Sequence, residues 1–420
     1  MNTPQVSITP RNNPAVFDHA IVIGSSIAGL AAARVLSDHF ARVTVIERDR
    51  LPVTPDFRRG APQGRHAHLL LPPGQAILEQ LFPGLNTALL AAGATFINSG
   101  PETTFFLDGA WHDDLTCLSC SRPLLEDAVY RRVTARPGVR ILQGYDVLRL
   151  DVDSRRRYVT GVSLRRRGDS AETRLLADLV VDTSGRNSRA PQWLAELGYT
   201  PPRETLINPF TGYTTRIYRR STNFDQNWQL LRVRRTPPDG TRGGLISPIE
   251  GNRWYVTLIG MSRDFPPTDE AGFMAFARSL PSPRMVEAMQ AAEPLSGIYG
   301  FRNTENRLRH YEELPRYLEG FLVAGDAVCA VSPVHAQGMT SALLGLEGLA
   351  DCLVEQRHRG NLNGLAKSFQ QRLRQATDNV WQLITDDDLR WPATIVTGRV
   401  DSTTLLRQPA AASVTPMVTG

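Results

Sequence analysis

Residues 19–47 read HAIVIGSSIAGLAAARVLSDHFARVTVIE, and the small residues in this run are spaced for binding a diphosphate. Gly24 permits a sharp turn, Ser26 is small enough for backbone to come close to a pyrophosphate, and Gly29 lets a helix pack tightly on a strand. Ile27 and Ala28 open that helix, whose unpaired N–H groups and positive dipole end suit phosphate oxygens. Glu47 stands 23 residues after Gly24 (47 − 24), where a carboxylate accepts hydrogen bonds from ribose hydroxyls and repels a 2′-phosphate. Arg48 follows it and is grouped with the same binding turn.

Such a turn works only between two buried parallel strands. The apolar runs 20–23 and 43–46 fit those strands, and 27–38 fits the helix between them. Two further glycine turns follow apolar runs. Residues 179–182 lead into Asp182-Thr183-Ser184-Gly185-Arg186-Asn187-Ser188, and 320–324 lead into Gly325-Asp326. Beyond Asp326 lies a loop containing Pro333, Ala336 and Gln337, then Gly338 and Met339. Helical spacing begins near Gln337 and runs to about residue 355. Arg122 stands at the mouth of another expected helix, 121–132, with Ser121 as its cap and Glu126 and Asp127 in its early turns. Three turns at strand ends, separated by long insertions, are expected to converge on one elongated ligand.

Between these pieces, 139–182 reads as an antiparallel meander and 201–262 as strands with little helix. Helices are expected at 74–82, 85–92, 269–279, 283–292 and 365–383, and a hairpin around residues 108–109. His66 and His68 lack a third ligand at metal-binding spacing, so they are read as lining a cofactor wall or bonding to backbone.

The chain of 420 residues is too long for one simple core, so two intimately packed domains are expected. Its net charge of +5 comes from scattered arginines mixed with acids, which argues against nucleic-acid binding. Lys367 is the single lysine. No apolar run is long enough to span a membrane, and the opening residues lack the apolar core of a signal segment, so a cytoplasmic protein is expected. Cys117, Cys120, Cys329 and Cys352 are read as free thiols.

At GSSIAG with Glu47, SRPLLEDAV, DTSGRNS and GDAVCAVSPVHAQGM, the chain resembles the class A flavoprotein monooxygenases, the p-hydroxybenzoate hydroxylase-like superfamily. RRGAPQGRHAHLLL and RNTENRLRHYE look most like the bacterial polyene epoxidases of polyketide pathways. The resemblance implies an α/β fold: a Rossmann-type FAD-binding domain, a β-rich substrate domain and C-terminal helices. The implied boundaries are 17–72, 118–195 and 301–360 for the first, 73–117 and 196–300 for the second, and 361–404 for the helical segment, with 1–16 and 405–420 as mobile tails. FAD is the implied cofactor, with NADH or NADPH as the electron source, directly or through a flavin reductase. O₂ and an apolar or aromatic small molecule are the implied substrates, and docking to a carrier protein is open. The resemblance gives hydroxylation or epoxidation through a flavin C4a-hydroperoxide, with no side-chain nucleophile. Gly24, Ser26, Ile27, Ala28, Gly29, Glu47 and Arg48 match the adenosine-diphosphate side, and Arg122 an FAD-contacting arginine. Asp326 matches the ribityl or pyrophosphate contact, and Pro333, Gln337, Gly338 and Met339 the loop beside the flavin ring.

Three positions depart from the family pattern. Ser26 replaces a glycine, Ser184-Gly185 stands where many members have Asp-Gly, and Ala336 replaces the first glycine of PxxGxG. A flavin-dependent halogenase is disfavoured because its chemistry needs an active-site lysine. A reductase of the prenyl-reductase type and a flavoprotein without redox turnover are the remaining rivals.

Overall fold

The computed structural model describes residues 17–97, 103–107, 110–112, 116–221 and 228–398. The expected tails, and the tip of the hairpin at 108–109, lie outside the described residues. Five strands form a parallel sheet in the order Phe321–Val323, Leu179–Asp182, Phe17–Ile23, Phe40–Glu47, Val139–Gln143. Its centre is a run of Ala, Val and Ile with no exposed face, as helices and the antiparallel meander pack against it. Register pairs Val22 with both Val181 and Val45, so the turns after Ile23 and Asp182 and the end of Phe40–Glu47 all open at one sheet edge. The next strand of the sheet, Phe321–Val323, ends beside them through Asp182↔Val323.

Residues 139–143 were expected in the antiparallel meander, but they pair in parallel with Phe40–Glu47. A short apolar run does not reveal the direction of its partner. The meander itself is Tyr145–Val152, Val159–Arg166 and Glu172–Leu176. A short helix at Ala190–Glu196, which the sequence reading did not assign, follows the second glycine turn.

A second, eight-stranded sheet contains Gly212–Arg219, Arg253–Gly260, Arg242–Ile249, Leu230–Val233 and Thr103–Leu107 as successive neighbours. Strand alternation divides its side chains. Leu231, Val233, Ile246, Trp254 and Val256 pack outward against Phe273, Phe276 and Met285 of the helices Glu270–Arg278 and Arg284–Ala291. The Trp228 and Trp254 rings stack there with centroids 5.6 Å apart, an arrangement worth about 1 kcal/mol beyond its area. Leu230 and Leu245 face inward instead, joining Leu69, Ile97, Cys117 and the Ala336 methyl. The loop below the third strand end therefore meets the inner face of the second sheet.

Two long helices, Gly338–Arg359 and Leu365–Asp388, close the molecule. Both outrun their expected ends at residues 355 and 383. The first stops at Gly360, whose left-handed φ of 67° is a usual helix terminator. No helix among the described residues is long and apolar enough to cross a membrane.

Candidate functional site

The first glycine turn is tightly built. Gly24 has a φ of 98°, and a Cβ on Gly29 would lie 1.9 Å from the Gly24 carbonyl oxygen, so only glycine fits at position 29. Ser26 occupies the N-cap position of Ile27–Leu36, but its side chain caps nothing. The first-turn amides of Ile27, Ala28 and Gly29 are left for another acceptor. The Ser26 hydroxyl instead donates to Glu126 at 2.6 Å and accepts from the Arg122 guanidinium at 2.8 Å. The substitution of serine for glycine thus adds a polar link between the turn and the helix Arg122–Thr134.

That helix begins as expected. Ser121 accepts from the Leu124 amide at 3.2 Å. Glu126, read from sequence as a dipole-complementing acid, also holds the Arg122 guanidinium at 2.8 Å, one helical turn away. Arg58 completes the cluster. It lies 3.2 Å from Glu126, 3.0 Å from Glu47 and 3.8 Å from Asp49. Arg122 and Arg58 draw the Glu126 carboxyl down to about 2 against the opposing effect of burial. Arg58, Glu126 and Ser25 were not among the expected site residues, because the loop and helix that bring them together are 68 residues apart (126 − 58) and carry no joint motif.

Glu47 ends its strand buried. One oxygen accepts from the Ser25 amide and hydroxyl, and the other accepts from the Asp49 amide. The carboxylate is thereby fixed in position beside the first turn. Arg48, next to it, is exposed.

The second turn reaches the third through Arg186. Its guanidinium donates to the Glu305 and Val331 carbonyls at 2.6 and 2.9 Å, clipping the DTSGRNS turn to the loop before Pro333. Ser184 is exposed and its amide donates to Asp182, so the departure from Asp-Gly leaves the turn closed.

Asp326 follows the third strand in a single 3₁₀ turn. No described group hydrogen-bonds its carboxylate, and burial raises its pKa while Arg186 and Arg122 partly offset the rise. A carboxylate in that position is a free acceptor. Ala336 holds a φ of 56° and ψ of 21°, the left-handed conformation that glycine adopts without strain, so alanine preserves the bend of the glycine pattern. Gln337 precedes Gly338–Arg359 with no side-chain cap, and a Cβ at Gly338 would meet nothing within 4 Å. The start of this helix therefore has no side-chain cap and has open space beside Gly338. His335 anchors the loop from behind. Its Nε2 lies 3.1 Å from the buried Asp388 carboxylate, which also accepts from Asn306 at 2.6 Å.

His66 and His68 do not share a strand. His66 ends a 3₁₀ turn and bonds the Thr215 hydroxyl at 2.9 Å, and its ring meets Tyr213 edge-on. His68 bonds the His66 carbonyl. Burial dominates both, pushing their pKa values to about 3 and about 4, so both rings are neutral at pH 7. All four cysteines are free and buried, as expected.

An elongated dinucleotide fits these residues. Crowded glycines, uncapped amides at two helix starts, a fixed carboxylate at one end and an unpartnered Asp326 together form a cradle lacking only an acceptor-rich, hydroxyl-bearing guest.

Residues 18–380 match the FAD binding domain family. A Mycobacterium tuberculosis protein, Protein Rv3254, is 32% identical over 379 residues, covering 87% of this chain and 79% of its own length. Among solved structures, the myxobacterial chondrochloren halogenase CndH superposes with a TM-score of 0.64 at 19% identity, over 89% of this chain and 82% of that one. The p-nitrophenol 4-monooxygenase PnpA from Pseudomonas putida gives 0.64 at 18% identity, over 93% and 92%. At these identities the two structures establish the shared fold. The match over most of the length, on the turns just described, shows that the chain belongs to the FAD-binding family of the class A flavin monooxygenases.

Proposed function

We propose that this protein is an FAD-dependent monooxygenase that hydroxylates or epoxidises an apolar or aromatic small molecule, in secondary metabolism. The observation that supports the reading is the cradle made by the three strand-end turns, whose last part, the Ala336 loop and the uncapped start of Gly338–Arg359, lies against an apolar cluster of Leu69, Leu230, Leu245 and Ile97 on the second sheet. Bound FAD would supply the redox chemistry, activating O₂ and delivering one oxygen atom.

The chain's own residues bind, orient and dry the site. Gly24, Ser26, Ile27, Ala28 and Gly29 take the diphosphate on backbone amides, Glu47 the ribose, and Arg122 the phosphate charge, with Arg48 at the rim. Asp326 accepts from the ribityl chain. Pro333, Gln337, Gly338 and Met339 line the ring, and the amides at the helix start stabilise negative charge there. The apolar side chains beside the Ala336 loop would keep water from the reacting atoms. NADH or NADPH supplies electrons, directly or through a reductase.

The fold is shared with halogenases, and one observation weighs against that activity. Lys367 is exposed near the start of Leu365–Asp388, 21 residues before Asp388 (388 − 367), the residue that reaches the Ala336 loop. At 1.5 Å per residue the lysine stands roughly 30 Å along the helix from Asp388 and the loop it holds.

The test is reconstitution with FAD, anaerobic photoreduction, then rapid mixing with oxygen. Slow reoxidation through a distinct absorbing species, with oxygen incorporated into an added aromatic or polyene substrate, is the expected result. Reoxidation by substrate without O₂ would make the protein a reductase. Failure to reduce would leave a flavoprotein without redox turnover. Halide-dependent halogenation would overturn the argument from Lys367.

A further inference from the structure

Asp388 is the last residue of Leu365–Asp388 and is fully buried. The same helix end packs Trp381 and Ile384, with Leu389 beyond them, against Ile207, Leu308 and Val331. The two carboxylate oxygens of Asp388 take different partners. Oδ1 lies 3.1 Å from Nε2 of His335, 53 residues away. Oδ2 accepts from the Asn306 side-chain amide at 2.6 Å, and the carbonyl oxygen of that side chain accepts from the Ser332 backbone N–H at 2.7 Å. One carboxylate thus holds the segment 332–335 at both ends, directly at His335 and through Asn306 at Ser332. Arg186 adds a hold just upstream, at the Val331 carbonyl.

The held segment is followed at once by Ala336 in its left-handed conformation and then by the uncapped start of Gly338–Arg359. Left-handed backbone is disfavoured for alanine and persists where the surroundings impose it. A carboxylate without exposure is a costly way to fill an apolar helix end, and a hydrocarbon side chain would serve packing as well. What the carboxylate adds is direction: two hydrogen bonds of fixed length between the C-terminal helix and the loop.

We propose that Asp388 is a positioning residue for the flavin ring. Acting through His335 and Asn306, it sets the height of the Ala336 loop, and so the distance from the first-turn amides of Gly338–Arg359 to the ring. This rests on the reading above, in which that loop lines the ring, and extends it to the C-terminal helix. The influence of a helix start falls off within one turn. A small retreat of the loop therefore weakens the stabilisation of negative charge on the reduced flavin, while the diphosphate grip of the first turn is untouched.

The test compares Asp388→Ala, which releases both arms, with His335→Leu, which releases one, and with the double variant. Reduction potentials of the FAD-loaded proteins are measured by equilibration with a reference dye. In Asp388→Ala the preference for reduced over oxidised flavin should fall by about threefold or more, a potential lower by about 14 mV or more. His335→Leu should shift the same way, and the double variant no further than Asp388→Ala, because the contacts lie on one chain. Asp388→Asn keeps an acceptor for Asn306 and should recover part of the loss. The sign separates position from charge: removing a negative charge with the loop unmoved would ease reduction and raise the potential. In FAD-free protein, amide exchange over 329–339 should rise in Asp388→Ala and His335→Leu while exchange over 20–30 stays level; a residue that merely stabilises the fold would raise both. An unchanged or raised potential, additive shifts in the double variant, or wild-type exchange over 329–339 overturns the proposal. Should Asp388→Ala fail to fold, His335→Leu decides by the same two readouts. Wild type that takes up no FAD defeats the functional reading and this inference with it, whereas FAD-loaded variants with an unmoved potential defeat the inference alone.

Discussion

Glu126→Gln is the most informative perturbation of the cradle, because it removes one charge and almost no volume. Glu126 holds Arg122, Arg58 and Ser26 at 2.8, 3.2 and 2.6 Å in a site where the three charged side chains are at most 14% exposed. Removing one partner of a buried ion pair costs about 3–5 kcal/mol, and Arg58 keeps Glu47, so the lower end applies. Linkage gives an independent figure. A folded pKa of about 2 against 4.5 unfolded corresponds to about 3 kcal/mol, at roughly 1.4 kcal/mol per pH unit. The sign follows from the depressed value: this stability is fully present above pH 4.5 and is lost as pH falls toward 2. For 420 residues the melting point moves by roughly 1 °C per kcal/mol, so the FAD-free variant should melt about 3 °C below wild type at pH 7. The gap should narrow between pH 5 and 3. Scanning calorimetry or urea titration at each pH measures it. FAD affinity should hold or rise, because Arg122 and Arg58 are then left short of negative charge. Equal stability at pH 7, a gap indifferent to pH, or a tenfold loss of FAD affinity would each refute the reasoning.

Other substitutions probe the remaining contacts. Gly29→Val should abolish FAD uptake, since even a Cβ would sit 1.9 Å from the Gly24 oxygen; flavin absorbance after refolding with excess FAD reports it. Asp326→Ala should weaken FAD binding at least tenfold while the FAD-free melting point stays level or rises, because no described group hydrogen-bonds the carboxylate. Ala336→Gly relieves a left-handed alanine, worth about 1 kcal/mol before the added freedom of the unfolded chain offsets it, so stability should change little and FAD should still bind. His66 and His68 are held neutral in the fold, so the unfolded chain takes up protons first as pH falls below 6.5. Stability should then drop by about 1.4 kcal/mol per unit for each histidine down to pH 4, and His66→Gln should shallow that slope in a pH series of melting curves.

The sequence by itself determined the parts governed by local rules. Gly24 and Gly29 could be read because backbone crowding admits no other residue, Ser121 because a helix start lacks acceptors, and the Gly338 helix because its apolar positions recur at helical spacing. The three strand-end turns and their convergence were legible for the same reason. Tertiary structure alone decided which charges meet. Arg58 reaches Glu126 and Glu47, and Arg186 ties the second turn to the third. It also turned residues 139–143 into a parallel strand and sorted Trp254 outward from Tyr255 inward. Long side chains from segments tens of residues apart pair through space, and neither periodicity nor spacing along the chain encodes which of them will be neighbours.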